Sequence, residues 1–130
     1  MREPVWVPRL AVDAMHLDQL REHGGLPGIR DENALESALA RPRHKYAYDS
    51  GTDLAALAAA YGFGIARSHP FRDGNKRIAF LTMVVFLELN GHGFEAEESD
   101  VVTAMVALAQ GTLTEAGLAK WLRAHTKRTG

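Results

Sequence analysis

Apolar residues recur along the chain at helical spacing, in blocks separated by glycine, proline and short polar stretches, so the pattern predicts helix after helix. Val5 to Leu10, broken by Pro8, suits a short edge strand, because proline tolerates only such positions in a sheet. Asp13 then offers a helix N-cap and Gly24 a stop, framing a first helix with Leu17 and Leu20 one turn apart. Gly24 to Gly28 is turn chemistry. Asp31 and Glu32 place negative charge at the start of a second helix whose apolar stripe is Leu35, Ala38 and Leu39, and Pro42 is expected to end it. Residues 41–52, polar, basic and aromatic without helical spacing, read as an exposed loop or hairpin.

A third helix begins near Thr52 or Asp53 and is rich in alanine and glycine, which lets neighbouring backbones approach; Pro70 forbids its continuation. From Ile78 to Leu89, 10 of 12 residues are apolar, as expected for a helix in the middle of a domain, and Gly91 closes it. Ser99 caps a fifth helix with Val102, Met105, Val106 and Ala109 on one face, ended by Gly111. Thr112 and Glu115 have the spacing of a capping box for a sixth helix carrying Leu118, Trp121, Leu122 and His125 on one face. The tail from Thr126 to Gly130 is expected to be loose. This makes an all-α fold: about six helices around a buried central helix, with at most a small β-hairpin.

Composition narrows what such a bundle does. A chain of 130 residues, 46% hydrophobic, supports one domain over 1–130. The net charge of −1 supplies no overall field to draw it onto nucleic acid or anionic lipid. The absence of cysteine excludes thiol catalysis and a disulfide framework and fits a cytoplasmic setting. Met1 to Pro8 has no long apolar run and no small-residue cleavage site, so no signal peptide is expected. The apolar stretches Leu54–Ala66 and Ile78–Leu89 hold 13 and 12 residues, short of the roughly 20 that span a bilayer. His16, His23, His92 and His125 show no metal-like clustering and read as ordinary surface or boundary residues.

One segment concentrates chemistry. Between two apolar helices lies a loop with His69, Arg72, Asp73, Asn75, Lys76 and Arg77, a costly set of groups to place there unless they meet a ligand or each other. The loop feeds the start of the Ile78–Leu89 helix, where unpaired backbone N–H groups and the helix dipole favour an anion, above all a phosphate. Gly74 permits close approach, and Asn75, Lys76 and Arg77 add donors and charge. Asp73, a hard carboxylate beside phosphates, suits Mg²⁺. His69 is the group able to take a proton near neutrality, the requirement for activating a hydroxyl.

His69-Pro70-Phe71-Arg72-Asp73-Gly74-Asn75-Lys76-Arg77 resembles the Fic/Doc signature H-x-F-x-[D/E]-G-N-[G/K]-R at every named position. Gly28 to Asp31, Leu35 to Leu39 with Arg41-Pro42, and Ala60 to Arg67 are also similar to Doc-type proteins, so the resemblance covers most of the chain. Ordinary Fic proteins have glycine where this sequence has Lys76 and a second arginine where it has Phe80, and they transfer AMP from ATP. Both departures are shared with the death-on-curing branch, in which ATP lies the other way round and its γ-phosphate is transferred. The resemblance therefore implies a protein kinase using ATP and Mg²⁺, whose family target is a threonine of elongation factor Tu and whose effect is arrest of translation. It implies His69 as base, Asp73 as Mg²⁺ ligand, and Gly74, Asn75, Lys76, Arg77 and Arg67 as phosphate-binding residues. Arg43, His44, Lys45 and Tyr46 take the place of the family's flap, which aligns the target chain by backbone pairing. The family's inhibitory (S/T)-x-x-x-E-(G/N) helix is not matched, since Gly28 stands four residues before Glu32-Asn33, so restraint is expected from a Phd-type antitoxin in trans. Three alternatives stay open: AMP transfer, a translation-blocking toxin that binds or cleaves RNA through Arg41 to Lys45 and His69, and a degenerate binding module.

Overall fold

The computed structural model describes residues 1–129. Within them the chain forms α1 (Arg9–His23), α2 (Glu32–Tyr48), α3 (Leu54–Ser68), α4 (Asn75–Leu89), β1 (His92–Phe94), α5 (Glu98–Gln110), α6 (Glu115–Ala124) and β2 (Thr126–Arg128). The fold is all-α, and among the described residues its one sheet is the antiparallel pair β1–β2, with His92 opposite Arg128 and Phe94 opposite Thr126.

Several helix ends follow from their own side chains. The Asp31 carboxylate accepts from the Ala34 N–H and that of Asp53 from the Ala56 N–H, so α2 and α3 each begin with a satisfied cap. Gly24 and Gly111 close α1 and α5.

Helix α3, rather than the Ile78–Leu89 helix, lies at the centre: it packs on α2, α4, α5 and α6, and Leu57 through Gly62, Gly64, Ile65 and Ala66 are all buried. Its small residues make this possible. A Cβ on Gly62 would come within 2.9 Å of the Met83 Cγ and Cε, and one on Gly64 within 3.1 Å of the Ala38 Cα, so both positions are matched to a neighbouring helix. Fully buried large side chains such as Tyr61, Phe86 and Leu57 contribute roughly 1.5–3 kcal/mol each. The Tyr61 hydroxyl accepts from the Val7 N–H at 3.1 Å, and burial pushes its pKa up, so the phenol stays neutral. Helix α4 buries Ile78, Ala79, Thr82, Met83, Phe86 and Leu87 and leaves Phe80 and Val84 only partly covered.

Several local expectations change. Val5 to Leu10 is not a strand, because the Val5 backbone bonds to the Asn90 side chain (2.8 and 2.9 Å) instead of to another strand. Helix α1 starts at Arg9, and Asp13 lies inside it, ion-paired with Arg9 one turn earlier. Pro42 does not end α2: it is buried within the helix, which runs on to Tyr48 while its flank stays packed on α3. Residues 41–48 are therefore helical, with only 49–53 between α2 and α3. Helix α5 begins at Glu98, with Glu97 at the N-cap position making no side-chain cap bond and Ser99 already inside the helix. The cap of α6 is Thr114, whose hydroxyl accepts from the Gly117 N–H, whereas Thr112 bonds back to the Ala107 carbonyl, so there is no capping box at Thr112. The tail is not loose over Thr126–Arg128, which pairs with β1; Gly130, the last residue of that expectation, lies outside the described residues.

Candidate active site

Pro70 carries no backbone N–H and ends α3, and His69 takes the left-handed turn that follows (φ 49°), the one such conformation outside glycine among the described residues. Its N–H reaches the Ile65 carbonyl at 3.2 Å. From the side, the Arg30 guanidinium donates to the carbonyls of Ser68 (2.6 Å) and His69 (2.7 Å), fixing the end of α3 and leaving the imidazole exposed. A non-glycine residue held in this conformation carries strain of order 1 kcal/mol, of the kind that collects at functional positions.

The loop is closed by Asn75. Its side-chain oxygen accepts from the Phe71 N–H and its amide donates to the Phe71 carbonyl, both at 2.9 Å, while the Phe71 ring is buried. The Asn75 side-chain oxygen and one of its two amide hydrogens are thus committed to the loop. Gly74 (φ 82°) turns the chain into α4. Ile78 is the first residue there to donate back, to the Gly74 carbonyl at 2.9 Å, so the N–H groups of Asn75, Lys76 and Arg77 stand at the open positive end of the helix dipole, with the Lys76 and Arg77 side chains exposed beside them.

These residues open onto a cleft of about 690 Å³ between α4 and α5. Gly74, Asn75, Lys76 and Arg77 line one end, and Phe80, Val84, Phe94, Val102, Met105 and Val106 make it apolar beyond. Asp73, one residue outside that lining, is exposed; one carboxylate oxygen accepts from the Leu26 N–H at 2.7 Å. Among the described residues no three His, Cys, Asp or Glu side chains gather around a metal position. Mg²⁺ commonly takes only one or two carboxylates together with phosphate oxygens and water, and the exposed Asp73 beside this loop is a carboxylate of that chemistry.

Not every expected residue converges. The Arg67 guanidinium packs against Gly111 at the C-terminal end of α5, where the helix dipole is negative, and it does not line the cleft. Arg43, His44, Lys45 and Tyr46 do not form a flap: at 1.5 Å per residue they lie about 18–23 Å along α2 from Asp31, at the end remote from the loop. There Arg43 stacks over Trp6, Lys45 pairs with Asp49 and Glu115, and the Tyr46 hydroxyl donates to the Met1 carbonyl. The segment that runs beside the loop is Gly28–Asp31, bonded through Arg30 N–H to Pro70 O (2.7 Å) and Arg72 N–H to Gly28 O (3.1 Å), with Ile29 bridged to Phe71.

Two residues of this region carried no functional reading in sequence. Arg30 is one. His16 is the other, and it is buried rather than at the surface: its ring stacks on Phe71 and its Nε2 bonds to the Asp73 carbonyl. A histidine on the inner face of an amphipathic helix carries no local signal of its partner, since Asp73 is 57 residues away.

Among the described residues no helix is long and apolar enough to cross a membrane. A profile described as Fic/DOC family matches residues 6–87. The chain is 35% identical to protein kinase doc of Escherichia phage P1 over 111 residues, 85% of this chain and 86% of that protein. It is 41% identical to toxin Doc of Mycolicibacterium smegmatis over 69 residues, 52% of this chain and 53% of that one. With the profile spanning the exposed imidazole, the stapled loop and the open helix terminus, and with a relative this similar over most of its length, the chain belongs to the Fic/DOC family.

Proposed function

We propose that the chain is a Doc-like toxin that transfers the γ-phosphate of ATP to a hydroxyl of a protein target, elongation factor Tu by resemblance, and so arrests translation. The observation that carries this reading is one short loop with an exposed, conformationally constrained His69 at its start and the unpaired N–H groups of α4 at its end. One of the two relatives is named a protein kinase and the other a toxin, which supports the same direction.

In this reading the phosphate oxygens rest on the backbone N–H groups of Asn75, Lys76 and Arg77, with the two side-chain charges beside them. His69 accepts the proton of the incoming hydroxyl as its oxygen bonds to the γ-phosphorus and the bond from that phosphorus to the bridging oxygen breaks, releasing ADP. Asp73 would hold Mg²⁺, which neutralises charge developing on the phosphates. The cleft beyond Lys76 leaves room for the rest of the nucleotide. A Phd-type antitoxin segment laid over that apolar cleft would also cover the helix terminus, consistent with control in trans. RNA recognition is less well supported, because Arg41 and Lys45 are paired with Glu115 on a helix instead of displayed on a loop.

The test is transfer from ATP labelled separately at the α and γ positions into protein, using cell extract and then purified elongation factor Tu. Label from the γ position alone is expected, and it should vanish with His69→Ala. Label from the α position would establish AMP transfer and overturn the kinase reading, and no label from either would overturn phosphotransfer altogether.

A further inference from the structure

The catalytic reading leaves His16 unused, although it is only 6% exposed and lies against the loop. It sits on α1 with Gln19 and Leu20, at i, i+3 and i+4, so the three share one face. Gln19 fills the space where a Cβ on Gly74 would go, and Leu20 lies 3.3 Å from the corresponding point on Gly25. His16 makes the polar contact of this face: its Nε2 is 2.9 Å from the Asp73 carbonyl oxygen, and its ring lies 4.0 Å from that of Phe71 at 20°. A carbonyl only accepts, so Nε2 carries the hydrogen and the imidazole donates.

The consequence follows from peptide geometry. The Asp73 carbonyl and the Gly74 N–H belong to one planar unit, and the described peptides contain no cis bond. Holding the carbonyl toward α1 therefore turns the Gly74 N–H to the opposite side, and Gly74 lines the cleft with Asn75, Lys76 and Arg77. The same bond restrains the backbone that carries the Asp73 carboxylate. We infer that His16 is a positioning residue: by donating Nε2–H to the Asp73 carbonyl while stacked on Phe71, it sets the Asp73–Gly74 peptide so that the Gly74 N–H joins the phosphate-binding row at the start of α4. This rests on the reading of that helix terminus as the phosphate site.

Three variants separate donation from packing. His16→Phe keeps a ring on Phe71 without a donor, His16→Gln can present an amide nitrogen near the place of Nε2, and His16→Asn places its amide nearer Nδ1. Titration calorimetry with ATP and Mg²⁺ should show binding weakened roughly 10–100-fold in the Phe and Asn variants and largely restored in the Gln variant, the range common for residues that orient a ligand-binding group. Equal affinity of wild type and His16→Phe, or a Gln variant as weak as Phe, would overturn the inference. Nitrogen-15 spectra of the nucleotide-free protein give an independent reading: the neutral His16 ring should carry its proton on Nε2, and the Gly74 amide should shift in His16→Phe and return in His16→Gln. A proton on Nδ1, or a Gly74 amide indifferent to these changes, would overturn it without reference to nucleotide. Absence of ATP binding by the wild type would instead strike the proposed function.

Discussion

Replacing Asn75 tests whether its side chain builds the loop or binds the ligand. Its amide makes two hydrogen bonds to the Phe71 backbone, both 2.9 Å and partly buried. Each is worth about 0.5–1.5 kcal/mol net, so Asn75→Ala should cost about 2 kcal/mol, less a few tenths recovered through the better helix propensity of alanine. For a domain of this size that lowers Tm by roughly 6–10 °C. Asn75→Asp separates the two roles. Aspartate keeps an acceptor for the Phe71 N–H, loses the donor to the Phe71 carbonyl, and gains about 0.3–1 kcal/mol from negative charge at the helix start, so it should unfold closer to wild type than Asn75→Ala does. Its charge should nonetheless oppose a phosphate: at about 5 Å and an effective dielectric of about 40, two unit charges repel by about 1.7 kcal/mol, more than tenfold in affinity. Urea unfolding and calorimetric titration with ATP and Mg²⁺ measure the two axes. An alanine variant as stable as wild type would refute the structural role, and an aspartate variant binding ATP as tightly as wild type would refute the placement of phosphate at this terminus.

Gly74→Ala should destabilise by about 1–3 kcal/mol, because φ of 82° strains a residue with a Cβ and that Cβ meets the Gln19 side chain; a melting curve within 1 °C of wild type would contradict this. Asp73→Asn retains an oxygen for the Leu26 N–H, so it should fold normally yet need more Mg²⁺ for nucleotide binding; an unchanged Mg²⁺ titration would remove Asp73 as ligand. The Arg123 guanidinium holds the Asp53 carboxyl below the usual carboxylate range, with burial acting the other way. A depressed folded pKa contributes stability present above the unfolded value near 4 and lost as pH falls through the folded one. Asp53→Asn, which can still cap α3, should therefore lower stability at neutral pH and make it less pH-dependent below about 4; parallel curves for variant and wild type in that acid range would show that the pair contributes nothing.

What the chain determined alone was whatever depends on neighbours in sequence. Asp31 and Asp53 cap helices three residues ahead and Gly24 and Gly111 stop them, because each of these is a contact within about one turn, and the nine residues from His69 to Arg77 carry the family resemblance by type and spacing. Tertiary structure decided the features whose partners are far away. Pro42 stays inside α2 because that helix is packed on α3, which moved Arg43 to Tyr46 off any flap. Thr126–Arg128 becomes a strand because His92–Phe94 offers a backbone edge. Asn75 showed its amide in sequence but not that the Phe71 backbone would pair with it, and His16 looked like an ordinary surface or boundary residue until folding brought it to Asp73. A hydrogen-bonding group advertises its capacity locally, whereas its partner is chosen by the packing of the whole chain.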